Sequence, residues 1–184
     1  MDEITDIINH MEKIFIYGVP GSGKTTYSLD LKDKAGYPLV EADGLRPIAQ
    51  KDKTRAQDPF AYMGITGAFR KFGNLTEDNV IKGLNAVRKT MLPYIDKEIK
   101  KYTHKLILEG AFLDPQQIIN NGKVILLTTN NELCHYKHFF AHRDKNKNSL
   151  EHFKAARMIQ DFLIKEAKNY PVEIIDNNFD FKPI

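Results

Sequence analysis

The run from Ile14 to Thr26 constrains this chain more than any other stretch. Ile14-Phe15-Ile16-Tyr17 is apolar, β-branched and aromatic. Gly18-Val19-Pro20-Gly21-Ser22-Gly23-Lys24-Thr25 then spells G-x-x-x-x-G-K-[ST], and a helix-compatible segment follows from Thr25 to Lys34. Strand, glycine turn and helix in that order form a phosphate-binding loop. Gly18, Gly21 and Gly23 permit backbone angles that a Cβ forbids, so successive N–H groups converge on a phosphate at the positive end of the helix. Pro20, Ser22 and Thr26 complete the expected nucleotide contacts. Lys24 is expected to reach the β- and γ-phosphates, and the Thr25 hydroxyl to coordinate Mg²⁺, so ATP and magnesium are the expected cofactors.

A chain of 184 residues has room for one well-cored α/β domain and not for two ordinary ones. Its 42% hydrophobic and 28% charged residues are those of a globular protein, and no apolar run approaches the ~20 residues a membrane-crossing helix needs. Met1 to Glu12 is acidic and lacks the basic start and apolar centre of a signal peptide, which leaves it as a short amphipathic lead-in helix. The single Cys134 excludes an internal disulfide. Together these point to a cytoplasmic protein, a monomer or homodimer. The net charge of +3 suits anionic small molecules, whereas no basic stripe is continuous enough to track a phosphate backbone, which makes nucleic acid an unlikely partner.

Along the chain, the pattern predicts a strand over Pro38 to Ala42 that delivers Asp43-Gly44-Leu45-Arg46. The aromatic stretch from Asp58 to Asn74 reads as short, partly exposed helices. A long helix begins near Thr76 and carries Val80, Leu84, Val87, Met91, Ile95 and Ile99 on one face, with a kink expected at Pro93. Lys105 to Gly110 and Lys123 to Thr129 read as buried strands. The polar segment from Asn131 to Asn148 separates them from a second strong helix, Ser149 to Lys168, with Asn148 as its expected cap and Glu151 three residues on. Val172 to Ile175 is the last strand. Strands alternating with helices predict a three-layer α/β/α domain with a mostly parallel five-stranded sheet, of the P-loop NTPase, nucleotide kinase-like type. A helical substrate-binding insertion is expected at about 44–75 and a lid at about 131–148.

Ligands of such sheets lie beyond the carboxyl ends of the strands, where Gly18, Asp43, Glu109 and Thr129 all emerge. Asp43 is placed to orient or deprotonate an acceptor hydroxyl, and Arg46 to fork onto an anionic acceptor. Glu109 is expected to hold magnesium or to serve as the base. Arg143 is placed to neutralise the transferring phosphoryl group, and Arg157 either to reach the phosphates from the flank or to extend into solvent. Tyr62 and Arg70 are the expected acceptor contacts within the aromatic stretch. His135, His138 and His142 share a helical face rather than a four-ligand metal geometry.

These residues resemble the small-molecule kinases of the phosphate-loop class, which include the shikimate, gluconate and nucleoside monophosphate kinases. Asp43-Gly44-Leu45-Arg46 is similar to the D-x-x-R substrate element of several of them, which implies an acceptor-orienting role for Asp43. Ile107-Leu108-Glu109-Gly110 leading to Pro115, and Arg157-Met158-Ile159-Gln160, resemble two signatures of the 2-phosphoglycerate kinase family. That resemblance implies ATP with Mg²⁺ and a phosphate contact from Arg157. Phe112 departs from the pattern, which has His at that place. The expected function is transfer of the ATP γ-phosphate to a small anionic, hydroxyl-bearing metabolite. A nucleoside or nucleotide kinase and a non-kinase ATP-binding switch are the competing readings.

Overall fold

The computed structural model describes residues 13–178. The lead-in helix expected at Met1 to Glu12 lies outside them. Five strands, β1 (Lys13–Tyr17), β2 (Leu39–Glu41), β3 (Leu106–Glu109), β4 (Lys123–Thr128) and β5 (Val172–Asp176), form one sheet in the order β2-β3-β1-β4-β5. Every neighbouring pair is parallel. The helices are α1 (Lys24–Ala35), α2 (Arg46–Asp52), α3 (Glu77–Ile99), the single turn α4 (Pro115–Ile118), α5 (Glu132–Phe140) and α6 (Lys147–Ala167).

The central strands are apolar on both faces because helices cover both. Phe15, Tyr17, Leu106, Leu108, Val124 and Leu126 face the larger core shared with α3 and α6, through Leu84, Met91, Ile159 and Leu163. Ile14, Ile16, Ile107, Ile125 and Leu127 face the other side, against Leu31 of α1. Each such side chain contributes about 1.5–3 kcal/mol by leaving water, so the middle of the sheet is the rigid part of the molecule. The register sets Ile16 and Glu41 on either side of Glu109, which brings the carboxyl ends of β1, β3 and β2 side by side.

The excursion between β2 and β3 is largely helical. Pro93 sits inside an α3 that continues through it to Ile99. Asp58 caps the 3-10 turn Pro59–Tyr62 through the Phe60 amide and accepts the Thr90 hydroxyl at 3.0 Å, fastening the turn to α3. After β4 the chain turns helical, as the common face of His135, His138 and His142 implies. It forms a docked helix, α5, in which His135 and Phe139 are buried. α6 begins at Lys147, with Asn146 rather than Asn148 as its cap. Ser149 closes that cap reciprocally, its hydroxyl accepting from the Asn146 amide at 3.0 Å, a role sequence spacing had assigned to Glu151.

Candidate active site

Gly23 adopts φ +85° and hands the chain to α1, whose first residue is Lys24, so the unpaired amides of the first turn open onto the loop. A Cβ on Gly23 would collide with the Asn177 side chain, whose Nδ2 donates to the Ser22 carbonyl at 2.9 Å. At Gly21, φ is +87° and a Cβ would lie 3.0 Å from the His135 ring and 3.1 Å from the Phe139 backbone. The loop is therefore held between the segment after β5 and the first helix after β4. His135, fully buried, makes this contact polar as well: its Nε2 lies 2.9 Å from the Pro20 carbonyl oxygen. Because Pro20 offers only an acceptor, Nε2 carries the proton, and Nδ1 is left to accept from Arg157 at 3.4 Å. Burial pushes the His135 pKa down to about 4, against the opposing effect of the Pro20 bond.

Lys24 Nζ donates to the Val19 carbonyl at 3.1 Å and spans the loop. Its burial lowers its pKa, while Glu109 and Asp43 act to raise it. Glu109, at the end of β3 and nearly fully buried, accepts the Thr25 hydroxyl at 3.1 Å. Burial raises the Glu109 pKa, opposed by Lys24 and by that hydroxyl. A hydroxyl and a carboxylate at a strand end form a hard-oxygen pair of the kind magnesium takes, and the loop between them is a cradle that side chains would fill. The residues present thus fit a magnesium-bound nucleotide.

Asp43 lies in the 3-10 turn Ala42–Leu45 and accepts Arg46 Nε on Oδ1 at 2.8 Å; Oδ2 has no partner among the described residues. Arg46 is largely buried, donating to the Met63 carbonyl at 2.9 Å and stacking over Phe112 with its guanidinium carbon 4.7 Å from the ring centre. The aromatic ring at the departure from the expected histidine thus serves Arg46 as a platform.

Two cavities open on this floor. The larger, about 770 Å³, runs over Gly21, Gly23, Lys24, Thr25, Thr26 and Glu109 and reaches Glu41, His138, His142 and Asn177. The smaller, about 430 Å³, is bounded by Arg46, Gly64, Thr66, Asn146, Asn148 and His152. Pro20, Asp43, Ala111 and Arg143 line both. Arg143 donates to the Phe139 carbonyl at 2.6 Å and stacks on the Phe139 ring.

Three of the expected site residues are used otherwise. The Tyr62 hydroxyl donates to the carbonyls of Gln50 at 3.0 Å and Lys53 at 2.9 Å, and Tyr62 lines neither cavity. Arg70 bonds to Asn148, Glu151 and His152 behind the smaller cavity. Arg157 neither reaches the loop cavity nor extends freely into solvent; it donates to the Thr129 carbonyl at 2.7 Å and the Asn130 carbonyl at 3.3 Å. Gln160, three residues on, accepts from the Thr129 amide at 2.9 Å and donates to its carbonyl at 3.1 Å. Both polar members of the Arg-x-Ile-Gln run therefore tie α6 to the end of β4. Thr129 is buried there and lines neither cavity. His135, Asn177 and the 144–152 wall were not anticipated in these roles.

The parallel sheet, the glycine loop after β1 and Lys24 spanning that loop define a phosphate-loop domain of the nucleotide-kinase type. Its fold is similar to shikimate kinase from Acinetobacter baumannii, with a TM-score of 0.57, 16% identity, and coverage of 95% of this chain and 88% of that one. No family model matches the sequence. Among curated proteins the chain resembles 2-phosphoglycerate kinase from Methanocaldococcus jannaschii, 25% identical over 178 residues, covering 89% of this chain and 58% of that protein. It also resembles the 2-phosphoglycerate kinase of Methanopyrus kandleri, 23% identical over 181 residues, covering 89% of this chain and 55% of that protein. The chain thus spans rather more than half the length of the curated relatives it matches.

Proposed function

We propose that the chain is an ATP-dependent phosphotransferase that moves the γ-phosphate to a small anionic metabolite bearing a hydroxyl group, of the 2-phosphoglycerate type. The observation that carries this reading is the meeting of the two cavities at Asp43 and Arg143, one cavity floored by the phosphate loop and the other lined by polar side chains. A switch that hydrolyses ATP has no need of the second cavity.

In this reading the loop amides and Lys24 bind the phosphates, and Thr25 with Glu109 holds magnesium, which when bound neutralises charge on the phosphate oxygens. Asp43 orients the acceptor hydroxyl and takes its proton as the acceptor oxygen bonds to the γ-phosphorus and the bond to the bridging oxygen of ADP breaks. Arg46 holds Oδ1 of Asp43, which leaves Oδ2 for the acceptor. Glu109, with Oε1 turned to Thr25, is thereby assigned to the metal rather than to the proton. Arg143 neutralises charge developing between the two cavities. Residues 44–75 then supply one wall of the acceptor site, and within 131–148 the exposed stretch at 141–145, between α5 and the capped start of α6, is the part that closes, since α5 is fixed by His135 and Phe139 and Asn146 by its cap. The cytoplasm, with its ATP pool, is the location we propose.

Purified protein supplied with ATP and magnesium is assayed for ADP release over a panel of phosphorylated hydroxy acids, sugars and nucleosides. Acceleration by one class of hydroxy acid is the expected result. Normal ATP binding with no acceleration by any acceptor would remove the phosphotransferase reading in favour of the switch.

A further inference from the structure

The smaller cavity has a hydrogen-bond polarity that can be read atom by atom. Arg70 NH1 lies 2.8 Å from His152 Nε2, and a guanidinium only donates, so Nε2 is an acceptor and the imidazole proton resides on Nδ1. Nδ1 lies 3.0 Å from Thr66 Oγ1 and donates to it. Thr66 is 6% exposed, lines the cavity, and its own hydroxyl proton has no acceptor among the described residues. Burial and Arg70 both lower the His152 pKa, in keeping with a neutral ring.

The two asparagines of the same wall are polarised alike. Asn148 Oδ1 accepts from Arg70 NH2 at 2.6 Å, and Asn146 Oδ1 accepts from the Ser149 amide at 3.0 Å. Each carboxamide oxygen is therefore engaged, and each amide NH₂ is left to donate. Arg46 and Arg143 add guanidinium donors to the same cavity; its carboxylates are Asp43, at the junction with the loop, and Asp144.

We infer that Thr66, Asn146 and Asn148 form an oxyanion-selecting wall in the smaller cavity, and that Arg70 is a positioning residue that fixes the wall as donor through His152 and Asn148. This rests on the reading of that cavity as the acceptor site. It assigns Arg70 a role at a distance from the ligand: its three acceptors are side chains of α6, and it selects the acceptor by orienting hydrogens. The group recognised is a carboxylate or a phosphate, and a hydroxyl-rich neutral molecule of the same size is disfavoured because it leaves a row of donors without full partners.

Two measurements test this on the intact chain. Nitrogen-15 NMR of the ligand-free protein is expected to show His152 neutral with its proton on Nδ1; a proton on Nε2, or an imidazolium at neutral pH, overturns the relay. Calorimetric titration is then made with glycerate, glycerol 2-phosphate, 2-phosphoglycerate, glycerol and ATP, on wild type, Thr66→Val, Thr66→Ser and Arg70→Met. Thr66→Val is expected to weaken oxyanion binding about tenfold, with Thr66→Ser restoring it and ATP unaffected in both. Arg70→Met is expected to weaken the same ligands and to release the His152 tautomer. Glycerate without glycerol 2-phosphate identifies a carboxylate site, and the reverse a phosphate site. Unchanged affinity in Thr66→Val, or wild-type protein that binds ATP but none of the three anions, overturns the wall. Absence of ATP binding instead sinks the kinase reading, and the His152 tautomer still decides the relay.

Discussion

Acidification provides a direct test of the contact between His135 and the phosphate loop. The ring is fully buried with both nitrogens engaged, and its pKa falls from the ordinary 6.5 to about 4 in the folded chain. The sign follows from proton counting. Between those two values the unfolded chain carries a proton on His135 that the folded chain refuses, so the stability this group contributes is intact above about pH 6.5 and is lost as the pH falls toward about 4. At about 1.4 kcal/mol per pK unit the full loss is about 3 kcal/mol, of which about 2 kcal/mol appears between pH 7 and pH 5. His152, whose pKa is also lowered, adds to the slope, and Glu109, whose pKa is raised, opposes it. Urea denaturation of wild type and His135→Gln at several pH values isolates the His135 part, because glutamine can donate to the Pro20 carbonyl without titrating. The expected outcome is a wild-type stability that drops about 2 kcal/mol more than the variant's over that range. Parallel curves for the two proteins would refute the buried neutral imidazole and the loop contact built on it.

Further consequences are open to measurement. Asp43→Asn is expected to abolish transfer while leaving ATP affinity within about twofold, by equilibrium binding against steady-state turnover; full activity in the variant removes Asp43 from the chemistry. Arg143→Ala should lower kcat at least about tenfold with a smaller change in KM for ATP, and a change confined to KM would reassign it to ground-state binding. Gly23→Ala places a methyl group against Asn177 at a left-handed backbone angle, so ATP binding should fall sharply; recovery in Gly23→Ala with Asn177→Ala separates the collision from the backbone strain, which remains.

The loop, the buried strands β3 and β4 and the carboxylate that ends β3 were legible because each depends on short local patterns: a glycine spacing, a β-branched run, a strand that stops on Glu109. The long α3 was legible for the same reason, its apolar face repeating from Val80 to Ile99 through about five turns. What was not legible depends on contacts between distant parts of the chain. His135 reads as one member of a polar, basic segment until its helix is seen packed on Gly21, more than a hundred residues earlier. Asn177 offers no signal, since its partner is a backbone carbonyl of the loop. Arg157 was marked by its motif, yet its partners are the carbonyls at the end of β4, and a motif states which residues recur together without stating what they touch. The wall formed by residues 144–152 was legible only in part: its start falls in the lid expected at about 131–148, while α6 reads as an ordinary amphipathic helix whose first turn could face anywhere.

The 21 residues of α6, about 31 Å of helix, carry several jobs at separate heights. The first turns bear Asn148, Ser149 and His152 beside the smaller cavity; two turns further, Arg157 and Gln160 grip the end of β4; near the far end Glu166 is paired with the buried Arg88. A change of side chain in the opening turns can therefore redraw what the cavity admits while the grip and the far anchor continue undisturbed. On the proposed reading, exchanging two or three residues at one end of this strut is enough to change the acceptor while the phosphate loop is left as it is.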